Sequence, residues 1–132
     1  KGGSCVAEAT ERRSQAENRE VALARLRFRL AVEIRTPSVL DGQVDGPIDA
    51  EEEALRQRFC GRDMKIGAKN VAKPAVLALV LNDLHASGGQ PSAVAPQWRV
   101  STSAIVRFVK SHPPAFLFLN AIRRHHGRGP LK

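Results

Sequence analysis

The sequence contains no tyrosine, and aromatic residues make up only 5% of its 132 residues. A platform of exposed rings for stacking single-stranded nucleic acid is therefore not expected. Cysteine is almost absent. Cys5 and Cys60 stand far apart, and no CxxC pair occurs. The four histidines supply no zinc spacing, so no metal site and no cofactor are expected. Both thiols read as reduced packing residues of a cytoplasmic protein. No apolar run approaches the ~20 residues of a membrane-spanning helix, so no membrane partner is expected. The opening Lys1-Gly2-Gly3-Ser4 has no initiator Met and no signal-peptide core, which reads as a processed or truncated end. No Ser-His-Asp set, carboxylate pair or phosphate loop is present.

What is abundant is positive charge. Lys and Arg total 21 against 13 Asp and Glu, giving a net charge of +8 and a pI near 10.5. A surplus of this size attracts polyanions, nucleic acid first and an anionic membrane surface second. The plainer alternative is a basic soluble protein with no such partner. Hydrophobic residues, at 42%, suffice for a core.

Along the chain, residues 5–9 alternate weakly and predict a short strand. Ser14-Gln15-Ala16-Glu17 has the S-x-x-E form of a capping box and predicts a helix from Ser14 to about Arg35. Pro37 ends it, because the residue before a proline is pushed out of the α region. Leu23, Leu26, Leu30 and Ile34 form one apolar stripe on this helix, and Val21, Phe28 and Val32 form a second on nearly the opposite side. Two stripes imply burial between layers or a missing partner. Residues 36–47, with two Pro and two Gly, read as a linker. A short acidic-then-basic helix over 48–58 follows.

From Lys73 a helical unit is expected. Val76, Leu77, Val80, Leu81 and Leu84 line its first helix, which Ser87-Gly88-Gly89 breaks. A second, short helix spans 91–98, with Pro96 arguing for an early stop. A third, capped by Ser101, covers 102–111, and a fourth carries Phe116, Leu119 and Ile122. The fold class is α+β and mostly helical. Residues 1–36 form one unit, 37–72 a linker with a short helix, and 73–132 a helix-turn-helix-like module with a basic tail.

The stretch Glu11-Arg12-Arg13-Ser14-Gln15-Ala16-Glu17-Asn18-Arg19 resembles the E-R-S-Q-x-x-N segment of class I peptide chain release factors and their ribosome-rescue relatives. Val6-Ala7-Glu8-Ala9 before it is similar to the family's preceding strand. Ala22-Leu23-Ala24-Arg25-Leu26-Arg27 after it is similar to the family's basic helix. The resemblance covers about residues 3–35, roughly a quarter of the chain. The part from Leu55 on also looks like an extension in a small bacterial release-factor-like subgroup, through Trp98-Arg99-Val100-Ser101-Thr102-Ser103-Ala104-Ile105-Val106-Arg107-Phe108 and the ending Gly127-Arg128-Gly129-Pro130-Leu131-Lys132. The resemblance implies partners on the ribosome, namely ribosomal RNA and peptidyl-tRNA. It implies hydrolysis of the peptidyl-tRNA ester by a Gly-Gly-Gln loop that orients a water. That loop would stand upstream of this segment, so this chain alone is expected to be inactive. Stop-codon-reading domains are not evident, which leans toward rescue of stalled ribosomes.

Gly88-Gly89-Gln90 repeats the letters of that loop but follows an apolar helix and precedes Pro91-Ser92. It reads as a helix stop, and no catalytic residue is expected here. The residues expected to contact RNA are Arg12, Arg13, Gln15, Asn18, Arg19, Arg25 and Arg29 in the first helix. Arg107 and Lys110 join them in the third helix of the C-terminal unit, with Arg123, Arg124, Arg128 and Lys132 in the tail. Arginine suits this role because its planar fork matches phosphate oxygens. The bland alternative is a solvated face paired within the helix to Glu17, Glu20 and Glu33. A second functional alternative is a DNA-binding regulator without enzymatic activity. Its recognition helix over 102–111 would expose Thr102, Ser103, Val106, Arg107 and Lys110. His125-His126 lacks carboxylate or thiol partners and is not read as a metal site.

Overall fold

A computed structural model describes residues 2–38, 40, 50–67 and 69–132, with side chains from residue 14 onward. Six helices follow one another: α1 (Gly2–Glu33), α2 (Ala50–Phe59), α3 (Lys73–Ala86), α4 (Pro91–Trp98), α5 (Thr102–Lys110) and α6 (Pro113–His125). Among the described residues there is no strand, so the helical part of the expected fold is observed and its β part is not.

The expected strand over 5–9 is instead the second turn of α1. Its alternation is weak, it has no second strand to pair with, and Ala7, Glu8 and Ala9 are good helix formers. Ser14 consequently lies inside the helix rather than at its start, and the expected capping box is not used there. The far end of α1 falls where the sequence places it, a few residues before Pro37.

α3 is the central element and packs against all five other helices. It buries Val76, Leu77, Val80, Leu81 and Leu84 completely, against Val94 and Trp98 of α4, Ile105 and Val109 of α5 and Leu119 of α6. Each such side chain contributes about 1.5–3 kcal/mol relative to exposure. α1 joins this core by one face only. Ala31 is buried, Phe28 and Val32 pack against the cluster, and Phe28 stacks on His112 with ring centroids 4.7 Å apart. The other stripe, Leu23, Leu26, Leu30 and Ile34, stays between 41% and 53% exposed.

Three helices end in the same way. After α3, the Gly88 amide donates to the His85 carbonyl and the Gly89 amide to Leu84 at 2.7 Å. α4 and α6 end with the corresponding pairs, Arg99 to Pro96 with Val100 to Ala95, and Gly127 to Arg124 with Arg128 to Arg123. This termination needs a left-handed residue, which Gly88 (φ +68°) and Gly127 (φ +72°) adopt at little cost. After α4 that conformation falls to Arg99 (φ 52°), where a glycine is more usual. Pro96 does not stop α4, which continues to Trp98. Its missing N–H removes only one bond from a helix of two turns, and the residue is exposed.

Candidate nucleic-acid interface

Charge is sorted along the fold. No Asp or Glu follows Asp83, while residues 84–132 carry Arg99, Arg107, Lys110, Arg123, Arg124, Arg128 and Lys132. Asp83 itself is fully buried in α3. Its carboxylate receives two hydrogen bonds from the Arg56 guanidinium at 2.8 Å each, one from Trp98 Nε1 at 3.0 Å and one from Ser38 Oγ at 2.6 Å. The Arg56 guanidinium also lies 5.0 Å from the centre of the Trp98 ring and pairs with Glu52 at 3.1 Å. Burial works against the Arg56 charge, but hydrogen bonding and attraction from Asp83 and Glu52 outweigh it and raise its pKa. This hub joins the segment after α1 to α2, α3 and α4. It leaves the surface of α4, α5, α6 and the tail with no carboxylate of its own.

The hub has no catalytic geometry, since every oxygen of Asp83 is occupied by a fixed donor. Sequence reasoning missed it. The available signal was Asn82-Asp83 within an otherwise apolar helix, because a charge in such a run requires a partner. Beside it, Asn82 closes a second link, accepting from the Thr36 amide and donating to Thr36 Oγ1 at 2.7 Å. Arg35 holds the end of α1 against α3 and α6. It donates to the Ala31 carbonyl and to that of Ala78 at 3.4 Å, and lies 5.1 Å from the Phe118 ring centre. Burial without a carboxylate partner lowers its pKa to about 10.

The residues expected to meet RNA fall into three groups. In α1, Gln15, Asn18, Arg19, Arg25 and Arg29 are exposed. Arg25 and Arg29 flank a groove with Val21, Ala24, Phe28, Val32, His112 and Pro114, and Arg29 pairs with Glu33 at 3.0 Å. The side chains of Arg12 and Arg13 lie outside the described residues.

In the second group, Ser101 Oγ caps α5 by accepting from the Ala104 amide at 3.1 Å. Thr102, Ser103, Arg107 and Lys110 then form an exposed face around a shallow groove that also includes Val106. Arg107 donates to the Asp63 carbonyl at 3.2 Å, and Lys110 to the Lys132 carbonyl at 2.6 Å. A neighbouring groove places Lys65 and Ser111 on the other side of Arg107.

The third group, in the tail, divides. Arg123 donates to the Gly89 and Gly129 carbonyls, both at 2.7 Å, and Arg128 to the Gly88 carbonyl at 2.9 Å. The Gln90 amide, oriented to satisfy both groups, accepts from Arg128 Nε at 3.2 Å. These two arginines therefore clamp the tail onto the turn between α3 and α4. Arg124 and Lys132 remain exposed.

Gly88-Gly89-Gln90 is that turn. A Cβ on Gly89 would come within 2.6 Å of Arg123 Cγ and 3.2 Å of the Arg123 amide nitrogen, so the tail closes over it. Among the described residues no group of three His, Cys, Asp or Glu side chains could hold a metal ion. No helix among them is long and apolar enough to cross a membrane.

No family model matches the chain, and neither a curated protein nor a solved structure matches it.

Proposed function

We propose that the chain is part of a release-factor-like translation protein and binds the ribosome through ribosomal and transfer RNA. The observation that carries this reading is the Glu11-to-Arg19 segment, E-R-R-S-Q-A-E-N-R, which lies within an arginine-studded helix. Two structural features support it. Gln15, Asn18, Arg19, Arg25 and Arg29 are all presented to solvent. The stripe Leu23, Leu26, Leu30 and Ile34 is left open on the same helix, as expected of a helix that also packs on a sheet outside the described residues.

The chemistry implied is ester hydrolysis on peptidyl-tRNA by a loop upstream of this segment. The residues described here bind and position, and none activates water. The purified 132-residue chain is predicted to sediment with ribosomes at physiological salt and to release no peptide from stalled ones. An Arg25→Ala/Arg29→Ala variant should sediment less. Failure of the chain to sediment, or peptide release by it, would overturn this reading.

A second reading, a DNA-binding regulator, is favoured by the short α4, the left-handed Arg99, the Ser101 cap and the exposed α5 face. A gel shift on duplex DNA at the same salt separates the two. The DNA reading requires binding that Arg107→Ala abolishes.

A further inference from the structure

The α5 face is the most coherent surface that the α1 segment does not explain. We propose that it docks on the sugar-phosphate backbone of double-stranded RNA, across the shallow groove of the duplex. The proposal deepens the ribosomal reading and rests on it only for the choice of setting.

Lys65, Arg107 and Lys110 border two adjoining grooves that share Arg107, and the Lys110–Lys132 bond places the tail's last cation beside them. None of these cations pairs with an Asp or Glu side chain among the described residues. Asp63, two residues before Lys65, contributes its backbone carbonyl to Arg107. Between the cations stand three exposed hydroxyls, Thr102, Ser103 and Ser111. Cations with small hydroxyls suit phosphate and ribose oxygens, the groups that position a protein on a duplex.

Other partners fit less well. Trp98 is buried and Phe116 and Phe118 are half-buried, so the α5 face itself offers no ring to an unstacked base. Val106 is the only apolar side chain in the α5 groove, too little for the buried centre of a protein interface. DNA is disfavoured by shape. A helix that reads B-form DNA must enter a major groove about 8.5 Å deep. Arg107 and Lys110 on the outer face of α5 are instead tied to the backbone of residues 63 and 132, which border that face. A surface of that form meets the wide, shallow minor groove of A-form RNA, where the 2′-hydroxyls are also displayed.

The test measures binding of the 132-residue chain to an RNA duplex of about 16 base pairs at about 0.15 M salt. Comparison arms are the same-sequence DNA duplex and one RNA strand alone. Binding should be tightest to duplex RNA. Lys65→Ala/Arg107→Ala/Lys110→Ala should weaken it at least ~10-fold and reduce the slope of log K against log salt by about 2–3, one unit per phosphate contact.

Thr102→Glu guards against misfolding. It adds an acid to the first turn of α5, which favours the helix, while repelling phosphate. It should therefore weaken binding with no loss of thermal stability. Unchanged affinity in the triple variant, or equal or tighter binding to DNA or single-stranded RNA, overturns the proposal. Ribosome sedimentation with no duplex RNA binding overturns it while leaving the ribosomal reading standing. The converse outcome overturns the ribosomal reading and supports this one.

Discussion

A single buried carboxylate organises much of this molecule. Asp83 gathers Ser38, Arg56 and Trp98, so removing it strands the Arg56 charge with only Glu52 for company. Loss of one partner from a buried pair costs about 3–5 kcal/mol. Asp83→Ala should lower stability by that order in urea denaturation. Gly89→Ala should also destabilise the fold, by more than ~1 kcal/mol, because it demands a left-handed alanine (φ +82°) where Arg123 closes over the turn.

His112 gives the fold a pH dependence. Burial and the nearby positive charge of Lys73 lower its pKa below the ordinary 6.5, so the folded state favours the neutral ring that stacks on Phe28. A depressed histidine contributes stability above its unfolded pKa and loses it as pH falls through that value. The melting temperature should therefore drop between about pH 7.5 and pH 5.5, and His112→Gln should flatten the drop. Neither Asp83 nor His112 stands out in the sequence, and Gly89 is legible there as a helix stop but not as the seat of Arg123. Their roles depend on neighbours more than twenty residues away or across the core, which no local pattern encodes.

At the level of elements, legibility followed how local the determinants were. α4 and the start of α5 lie where Pro91 and the Ser101 cap place them, and the end of α3 lies where Gly88 and Gly89 place it. Residues 5–9 alternate weakly, as a strand does, but no partner strand is present among the described residues to hydrogen-bond to them. Once unpaired, that segment extends the helix it precedes. Of the two stripes on α1, Leu23, Leu26, Leu30 and Ile34 stay open, and the other is covered at Phe28 and Val32 but not at Val21, which is 48% exposed. This predicts an asymmetry between its faces. Phe28→Ala, on the covered face, should cost about 3 kcal/mol or somewhat less, since its ring is only half-buried. Leu26→Ser, on the open face, should stay within about 0.5 kcal/mol. Equal losses at both positions would show that the open stripe is engaged after all.

Across the whole molecule, the acids are confined to one part of the chain. All 13 lie at or before Asp83, among 14 of the 21 Lys and Arg, and residues 84–132 carry only cationic charged side chains. The overall surplus of +8 was plain from composition, but its distribution over surfaces was not. Arg123 and Arg128, counted among the RNA-facing cations, are engaged in clamping the tail. Lys65, not counted among them, stands beside Arg107. What the account requires is a chain that holds ribosomes through many phosphate contacts. The direct test is the affinity of the 132-residue chain for purified ribosomes measured across a range of salt concentrations. The log–log plot should fall steeply, with a slope of several units that lessens by about one for each of Arg25, Arg29, Arg107 and Lys110 replaced by Ala. Absence of binding at low salt, or binding indifferent to salt, would contradict it.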